Sequence, residues 1–425
     1  MKILIIGNGG REHTLLWKLR RDEPDAKFFI TIGNGGTRNI AESIQLDPTD
    51  IDGIVEFSKR EKIDLVVVGP ERPLELGLTD RLNYEGISVF GPSREAARIE
   101  TSKAFAKRLM KKYGIPTASF ETFTSYEEAV SFVKSQDIPL VVKASGLAAG
   151  KGSVVCDNRI EALEALETIM VRKAFGDAGD EVVVEERLEG EELSFFVLTD
   201  GERALPLSPS QDHKRAYDGD RGLNTGGMGA YAPVSVATPS LTGRIMRDII
   251  TPTVSAMREE GMPYRGVLYA GLMLTAEGPM VIEFNARFGD PEAQVNLPLL
   301  KSNLVSVMSE ICSGELEAES LDFRDDYAVC VVMASGGYPG SYEKGKVIHL
   351  PDGLESDKLM VFHAGTTVRD DTLLTSGGRV LGVTALGKSI GEARERCYDA
   401  IGNIHFDRAH FRTDIAYREM ARAGA

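Results

Sequence analysis

Glu283, Asn285 and Arg287 stand two residues apart on one segment, with the apolar residues Phe284 and Ala286 between them. In an extended strand successive side chains take opposite faces, so these three share one face. A carboxylate and an amide oxygen placed this way can both reach a hard cation such as Mg2+, which prefers oxygen ligands and keeps positions open for phosphates. The guanidinium beside them can neutralise an anion through two hydrogen bonds. The same spacing also describes an ordinary half-buried strand with a polar face, and the segment alone leaves both readings open.

Two glycine-rich stretches point to phosphates. Residues 145–153, Ser-Gly-Leu-Ala-Ala-Gly-Lys-Gly-Ser, lie between two predicted strands. A P-loop needs glycine at its first position, serine or threonine after its lysine, and a helix next; this stretch has Ser145, Gly152 and a strand. As a loop between antiparallel strands it can instead fold over a triphosphate, offering N–H donors from Gly150, Lys151, Gly152 and Ser153. Lys143, on the strand before it, can meet nucleotide phosphates. The second stretch, Gly7-Asn8-Gly9-Gly10, follows a strand and opens a helix, the layout of a phosphate-binding turn. A dinucleotide site is disfavoured: the third fingerprint glycine would fall on Glu12, and Gly33-Asn34-Gly35-Gly36 replaces the acidic residue after the second strand.

The elements that must position these residues follow from periodicity. Strands are predicted over 2–6, 28–32, 64–68 and 87–90, alternating with amphipathic helices, which implies a doubly wound parallel sheet. Ser93 predicts the cap of a long helix closed by Gly114. Thr124 with Glu127 reads as a capping box. The middle section turns to α+β, with strands at 140–144, 154–156 and 181–185 and an antiparallel hairpin over 268–275 and 280–287. From about Tyr327 come further strands and one helix near 390–401. We place the divisions at 1–103, 104–326 and 327–425.

Composition narrows the function. A formal charge of −15 argues against a nucleic-acid coat or a membrane-surface role, which need a basic face. The four cysteines are scattered and the six histidines lack zinc spacing, which predicts a reduced, cytoplasmic protein without a zinc site. The opening residues do not resemble a secretory signal, and no stretch approaches a membrane span.

Several blocks together resemble the phosphoribosylamine–glycine ligases of the ATP-grasp superfamily. They are Gly-Asn-Gly-Gly-Arg-Glu-His at 7–13, Lys-Ala-Ser-Gly-Leu-Ala-Ala-Gly-Lys-Gly at 143–152, Asp-His-Lys-Arg at 212–215, Asn-Thr-Gly-Gly-Met-Gly-Ala-Tyr at 224–231, Glu-Phe-Asn-Ala-Arg-Phe-Gly-Asp-Pro-Glu at 283–292, and the run at 375–385. The resemblance implies a pre-ATP-grasp N-domain, an ATP-grasp core with a mobile lid over about 124–192, and a small α+β C-terminal domain. It implies that Lys103 and Lys143 contact ATP phosphates, that Glu185 and the Leu188 backbone meet adenine, and that Glu192 meets the ribose. Glu283 and Asn285 would hold Mg2+ or Mn2+. Gly9, Gly10, Arg11, Asp212, Lys214, Asn224, Thr225, Gly226, Gly227, Met228, Gly229, Arg287 and Asp290 would line the sites for glycine and 5-phosphoribosylamine.

The implied reaction converts the glycine carboxylate to an acyl phosphate, which the amine then attacks; Lys143 and Arg287 are the catalytic candidates. The implied partners are these small molecules alone, with no nucleic acid or membrane and a monomer favoured. A different ATP-grasp carboxylate–amine ligase is the alternative, but it should lack the block at 224–231. The chain departs from the family pattern at Glu75, around Asp218-Gly219-Asp220, and at Arg408 and Ala416, where glycine is usual.

Overall fold

The computed structural model describes residues 1–148 and 150–424. Its first sheet is parallel, in the order Glu42–Ile44, Lys27–Thr31, Lys2–Ile6, Leu65–Val68, Ser88–Phe90. These strands are continuous apolar runs because both faces are covered. Ile3 and Ile5 pack with Leu15, Leu16 and Leu19 on one side, while Leu4 and Ile6 pack with Ile54, Val55 and Phe57 on the other. The strand order reverses about Lys2–Ile6, which opens a crevice at its carboxyl end. Gly7 to Gly10 sit there.

The predicted long helix after Ser93 is two helices, Arg94–Thr101 and Lys103–Tyr113, broken at Ser102. Ser102 is extended, and its hydroxyl caps the second helix by accepting from Phe105 N. The break exposes the Lys103 amide, which donates to Ser145 O at 2.8 Å. The predicted capping box shifts by one residue: Ser125, not Thr124, caps the helix Tyr126–Ser135.

Two antiparallel sheets follow. One orders Phe120–Phe123, Val182–Glu186, Leu140–Ala144 and Ser153–Cys156, and helices Tyr126–Ser135 and Arg159–Leu166 pack on one of its faces. The other orders Ala204–Pro206, Glu191–Thr199, Gly266–Thr275 and Gly278–Asn285. A last sheet joins Gln211–Asp212 and Gly229–Ala232 to Tyr327–Ala334, Arg379–Gly387 and Leu359–His363, so the middle section supplies two of its strands. No helix among the described residues is long and apolar enough to cross a membrane.

The first and last sheets meet through two histidines. His363 N donates to His13 Nδ1 at 2.8 Å, and the rings lie 5.6 Å apart. Burial pulls His13 down to about 3, aided by His363, and burial pulls His363 down to about 4. Both are therefore neutral in the fold. Because the unfolded chain takes up these protons near pH 6.5 and the native one does not, stability falls as pH drops from about 6.5 toward 4. Urea titrations of the protein should show this loss, and His13→Gln should show a shallower one.

Two departures from the family pattern have a backbone consequence. Arg408 (φ 57°) and Ala416 (φ 66°) are left-handed, a region that L side chains enter at a cost. Arg408 is exposed, so its side chain offsets little. Arg408→Gly should raise the unfolding free energy by about 0.5–1 kcal/mol, read as a higher urea midpoint.

Candidate active site

The sheet containing Gly278–Asn285 presents one polar face. Ser194, Gly271 and Glu283 are cross-strand neighbours, as are Phe196, Tyr269 and Asn285. Directly paired residues share a face, so Glu192, Ser194, Tyr269, Glu283 and Asn285 look the same way. Gly271 contributes no side chain between Ser194 and Glu283, which leaves space above the sheet. Glu283 is half-buried, and its carboxylate has no hydrogen-bond partner among the described residues.

Asn285 is buried, and its Oδ1 accepts from Arg287 Nη2 at 3.1 Å. Arg287 also pairs with Glu100 at 3.2 Å and Glu71 at 3.4 Å, so much of its charge is already neutralised. Among the described residues no group of three or more His, Cys, Asp or Glu could form a complete metal cage. Two oxygens from Glu283 and Asn285 suit an ion of the Mg2+ type, which takes the rest of its shell from phosphates and water.

The register of this hairpin slips between Gly271 and Leu272, where Glu283 and Val281 are their partners and Ile282 is left over as a bulge. The freed Ile282 carbonyl accepts from Lys143 Nζ at 3.0 Å. Lys143 also pairs with Glu185 at 2.5 Å, and Glu185 pairs with Lys107 at 2.5 Å. Lys107 in turn donates to Thr117, whose hydroxyl donates to Val281 O at 2.7 Å. Lys143, Glu185 and Lys107 are all buried. Burial works to raise the Glu185 carboxyl, but the two ammoniums outweigh it and hold the group below its ordinary range. Burial brings Lys107 down to about 8 despite Glu185. An ammonium has three N–H donors, so Lys143 retains one beyond Glu185 and Ile282. Lys103 lies one helical turn before Lys107, its Nζ 3.4 Å from Gly146 O, and burial lowers its pKa.

The glycine-rich loop leaves from Lys143 and returns at Ser153, its cross-strand partner. Gly150 is left-handed, Lys151 is exposed, and Gly152 packs where a Cβ would strike Ala148; Ala149 lies outside the described residues. Leu188 sits half-buried in the connection between Val182–Glu186 and Glu191–Thr199. Glu192 opens the latter strand and pairs with Lys214.

Across from this face lie the residues read as substrate contacts. Lys214 Nζ is 3.2 Å from Asp212 Oδ1, so both project to one side of the chain. Burial pushes Asp212 up to about 6, against the pull of Lys214. Thr225 donates its amide and hydroxyl to Lys214 O, Gly227 N donates to Thr225 Oγ1, and Met228 N donates to His213 O, which shapes the turn that Asn224 enters. Gly227 (φ 111°) lies where a Cβ would strike Pro291, and Gly229 lies against Cys330 O. Asp290 accepts from Gln294 at 2.8 Å and from Arg11 N at 3.3 Å, and pairs with Arg379 at 3.3 Å.

The N-terminal turn differs from a simple anion cradle. Gly9 N donates to Glu12 at 2.6 Å, and Arg11 bridges Glu12 at 2.6 Å and Phe288 O at 3.1 Å. The Glu12 carboxyl lies where Cβ atoms on Gly7 and Gly69 would strike it. A protein carboxylate thus takes a place that a pyrophosphate takes in dinucleotide folds, and Gly10 packs against Gln294.

Family models for the phosphoribosylglycinamide synthetase N domain, ATP-grasp (A) domain and C domain match residues 1–100, 101–293 and 328–418. A phosphoribosylamine–glycine ligase of Brucella melitensis is 48% identical, with 100% of each chain covered. One from Halalkalibacterium halodurans is 47% identical over 99% of this chain and 98% of its own. The chain belongs to the phosphoribosylglycinamide synthetase family. It is an ATP-dependent ligase of the ATP-grasp fold, with family-wide use of a divalent metal, that makes glycinamide ribonucleotide in purine biosynthesis. The solved Thermotoga maritima phosphoribosylamine–glycine ligase superposes with TM-score 0.87 at 35% identity, covering 97% of this chain and 100% of that one. A biotin carboxylase domain from Hydrogenobacter thermophilus, at TM-score 0.75 and 18% identity over 96% of this chain and 91% of its own, shares the fold.

Four charged residues in contact with the candidate site residues escaped the sequence reading. Lys107 was signalled only by its spacing of four from Lys103, and Arg379 only by the glycine pair before it. Glu71 and Glu100 carried no local signal. Arg379 donates to Gly226 O at 2.8 Å and to Asp290 O at 2.6 Å, tying the last sheet to two of the substrate blocks.

Removing Glu185 leaves two buried ammoniums without their counter-charge. Glu185→Gln should lower the unfolding free energy by about 3–5 kcal/mol, measured in urea, and adding Lys107→Met should recover part of the loss.

Proposed function

We propose that the polar face of the Glu191–Thr199, Gly266–Thr275, Gly278–Asn285 sheet is where ATP and glycine react, under the loop 145–153. The observation that carries this reading is the unpartnered Glu283 carboxylate beside the Asn285 amide oxygen, facing Lys143 across the Ile282 bulge. Glu283 and Asn285 hold Mg2+, with Mn2+ as a substitute; the ion, when bound, neutralises charge on the triphosphate. Lys143 uses its remaining N–H, and Lys103 its ammonium, toward the phosphates. Gly150, Lys151, Gly152 and Ser153 close over them and exclude water. Glu185 and the Leu188 backbone frame the adenine end, and Glu192 takes the ribose hydroxyls.

A glycine carboxylate is a poor electrophile. Its oxygen attacks the γ-phosphorus, the bond to ADP breaks, and glycyl phosphate forms. The amine of 5-phosphoribosylamine then attacks the acyl carbon, the bond to phosphate breaks, and nitrogen loses a proton. The residues contribute positioning and charge stabilisation, the main work in phosphoryl transfer. Asp212, Lys214, Arg287, Asp290, the turn 224–229 and the N-terminal turn Gly9, Gly10 and Arg11 enclose the two acceptor substrates. The divisions fall near 103 and 326, and the enzyme acts as a cytoplasmic monomer.

ADP release should require glycine and phosphoribosylamine together, with little from either alone. Glu283→Ala should lower kcat by about 100-fold or more with the circular dichroism spectrum unchanged. Turnover with a different acid–amine pair in place of these two would overturn the substrate assignment and keep the ATP site.

A further inference from the structure

The segment Asp212–Lys214, which runs on from the strand Gln211–Asp212, has a second side. His213, between them, points away from the site into the C-terminal segment. Its ring is 1% exposed, with the Tyr231 ring 5.9 Å and the Tyr417 ring 5.7 Å away. Nε2 accepts from Ala416 N at 3.1 Å, so the proton of the neutral ring sits on Nδ1. Nδ1 has no hydrogen-bond partner; Asp220 Oδ1 stands 3.9 Å from it. Asp220 is held by Arg412 at 2.8 Å, Arg418 at 2.6 Å and the Tyr417 hydroxyl at 2.9 Å. Arg412, itself fully buried, also binds Asp414 and the Arg215 carbonyl.

The backbone of His213 is equally committed. Its N–H donates to Gly229 O at 2.9 Å, and its carbonyl accepts from Met228 N at 2.8 Å. These bonds join the Thr225 bonds to Lys214 O in fixing the segment bearing Asp212 and Lys214 against the turn at 224–229. A buried donor without an acceptor is costly, so Nδ1 does not hold the ring in place. The Ala416 amide bond and the two tyrosine rings do. Because His213 lies directly between them in the chain, any shift of its backbone carries Asp212 and Lys214 with it.

We infer that His213 is a positioning residue for the acceptor substrates, clamping the segment Asp212–Lys214 to the C-terminal segment, with Asp220 and Arg412 as the wall of the clamp. The inference rests on the reading that Asp212 and Lys214 line the acceptor pocket. It explains why a charged network around Asp218-Gly219-Asp220 is built into the fold.

Steady-state kinetics of His213→Leu, His213→Gln, Arg412→Lys and Asp212→Asn test it, each alongside its melting midpoint. His213→Leu should raise the KM for glycine or phosphoribosylamine at least tenfold and the KM for ATP by a clearly smaller factor, since Lys214 also pairs with Glu192. His213→Gln, whose amide oxygen can accept from Ala416 N, should recover most of this. If His213→Leu fails to fold, Arg412→Lys should show the same split at smaller size. Unchanged acceptor KM values, or an ATP KM rising as much as the acceptor KM, would overturn the clamp. Asp212→Asn separates the two readings. If it raises an acceptor KM while the His213 and Arg412 variants do not, only the clamp fails; if it leaves both acceptor KM values unchanged, the pocket assignment fails and the clamp with it.

Discussion

The site depends on one buried chain of charge. Lys143, Glu185 and Lys107 lie out of water where the Leu140–Ala144 and Val182–Glu186 sheet meets the Gly278–Asn285 strand. Desolvating three charges is unfavourable unless each is paired. The fold pairs them through Glu185, through the Thr117 hydroxyl and through a carbonyl that a β-bulge frees at Ile282. The bulge thus has two effects: it turns Glu283 and Asn285 onto the polar face, and it supplies an acceptor that brings a lysine to that face from the neighbouring sheet. Breaking Arg94–Tyr113 at Ser102 has a related effect, since it places Lys103 beside Ser145 at the root of the glycine-rich loop.

The other half of the enclosure is assembled from distant segments. Asp290 follows the strand Gly278–Asn285, Gly226 belongs to the turn at 224–229, and Arg379 begins a strand of the last sheet, yet all three meet in hydrogen-bond contact. That last sheet takes Gln211–Asp212 and Gly229–Ala232 as its first two strands, so the segment bearing Asp212 and Lys214 is fixed by the C-terminal part of the chain. In the proposed site the acceptor side is therefore positioned by the last sheet, and the ATP side by the seam at Lys143. Domain labels drawn along the sequence do not capture this, because these residues come from more than one of them.

What could be read in the residues was what local periodicity controls. The apolar run Lys2–Ile6, the alternation of Glu283 with Phe284 and Asn285, and the hairpin around Gly278 all declare themselves within a few positions. Ser102 was hidden because a lone serine interrupts helical periodicity no more than a surface residue does; only its cap and the Ser145 contact explain the break. Lys107 reads as a solvated helix lysine until Glu185 is brought to it from another sheet. Arg379 acts on groups 89 and 153 residues away, a distance at which pattern carries no information. Glu12 is instructive in the opposite sense. As a mismatch to a dinucleotide fingerprint it argued against that ligand, but its positive role, filling the crevice between Gly7 and Gly69, needed coordinates.

The central claim is that this face activates a carboxylate by transferring a phosphoryl group to it. The most direct test supplies glycine labelled with 18O in both carboxylate oxygens and follows the label during turnover with ATP and phosphoribosylamine. An acyl phosphate route places one 18O in the released inorganic phosphate for each amide formed, leaving one in the product. Released phosphate free of label, with both oxygens accounted for elsewhere, would contradict the account.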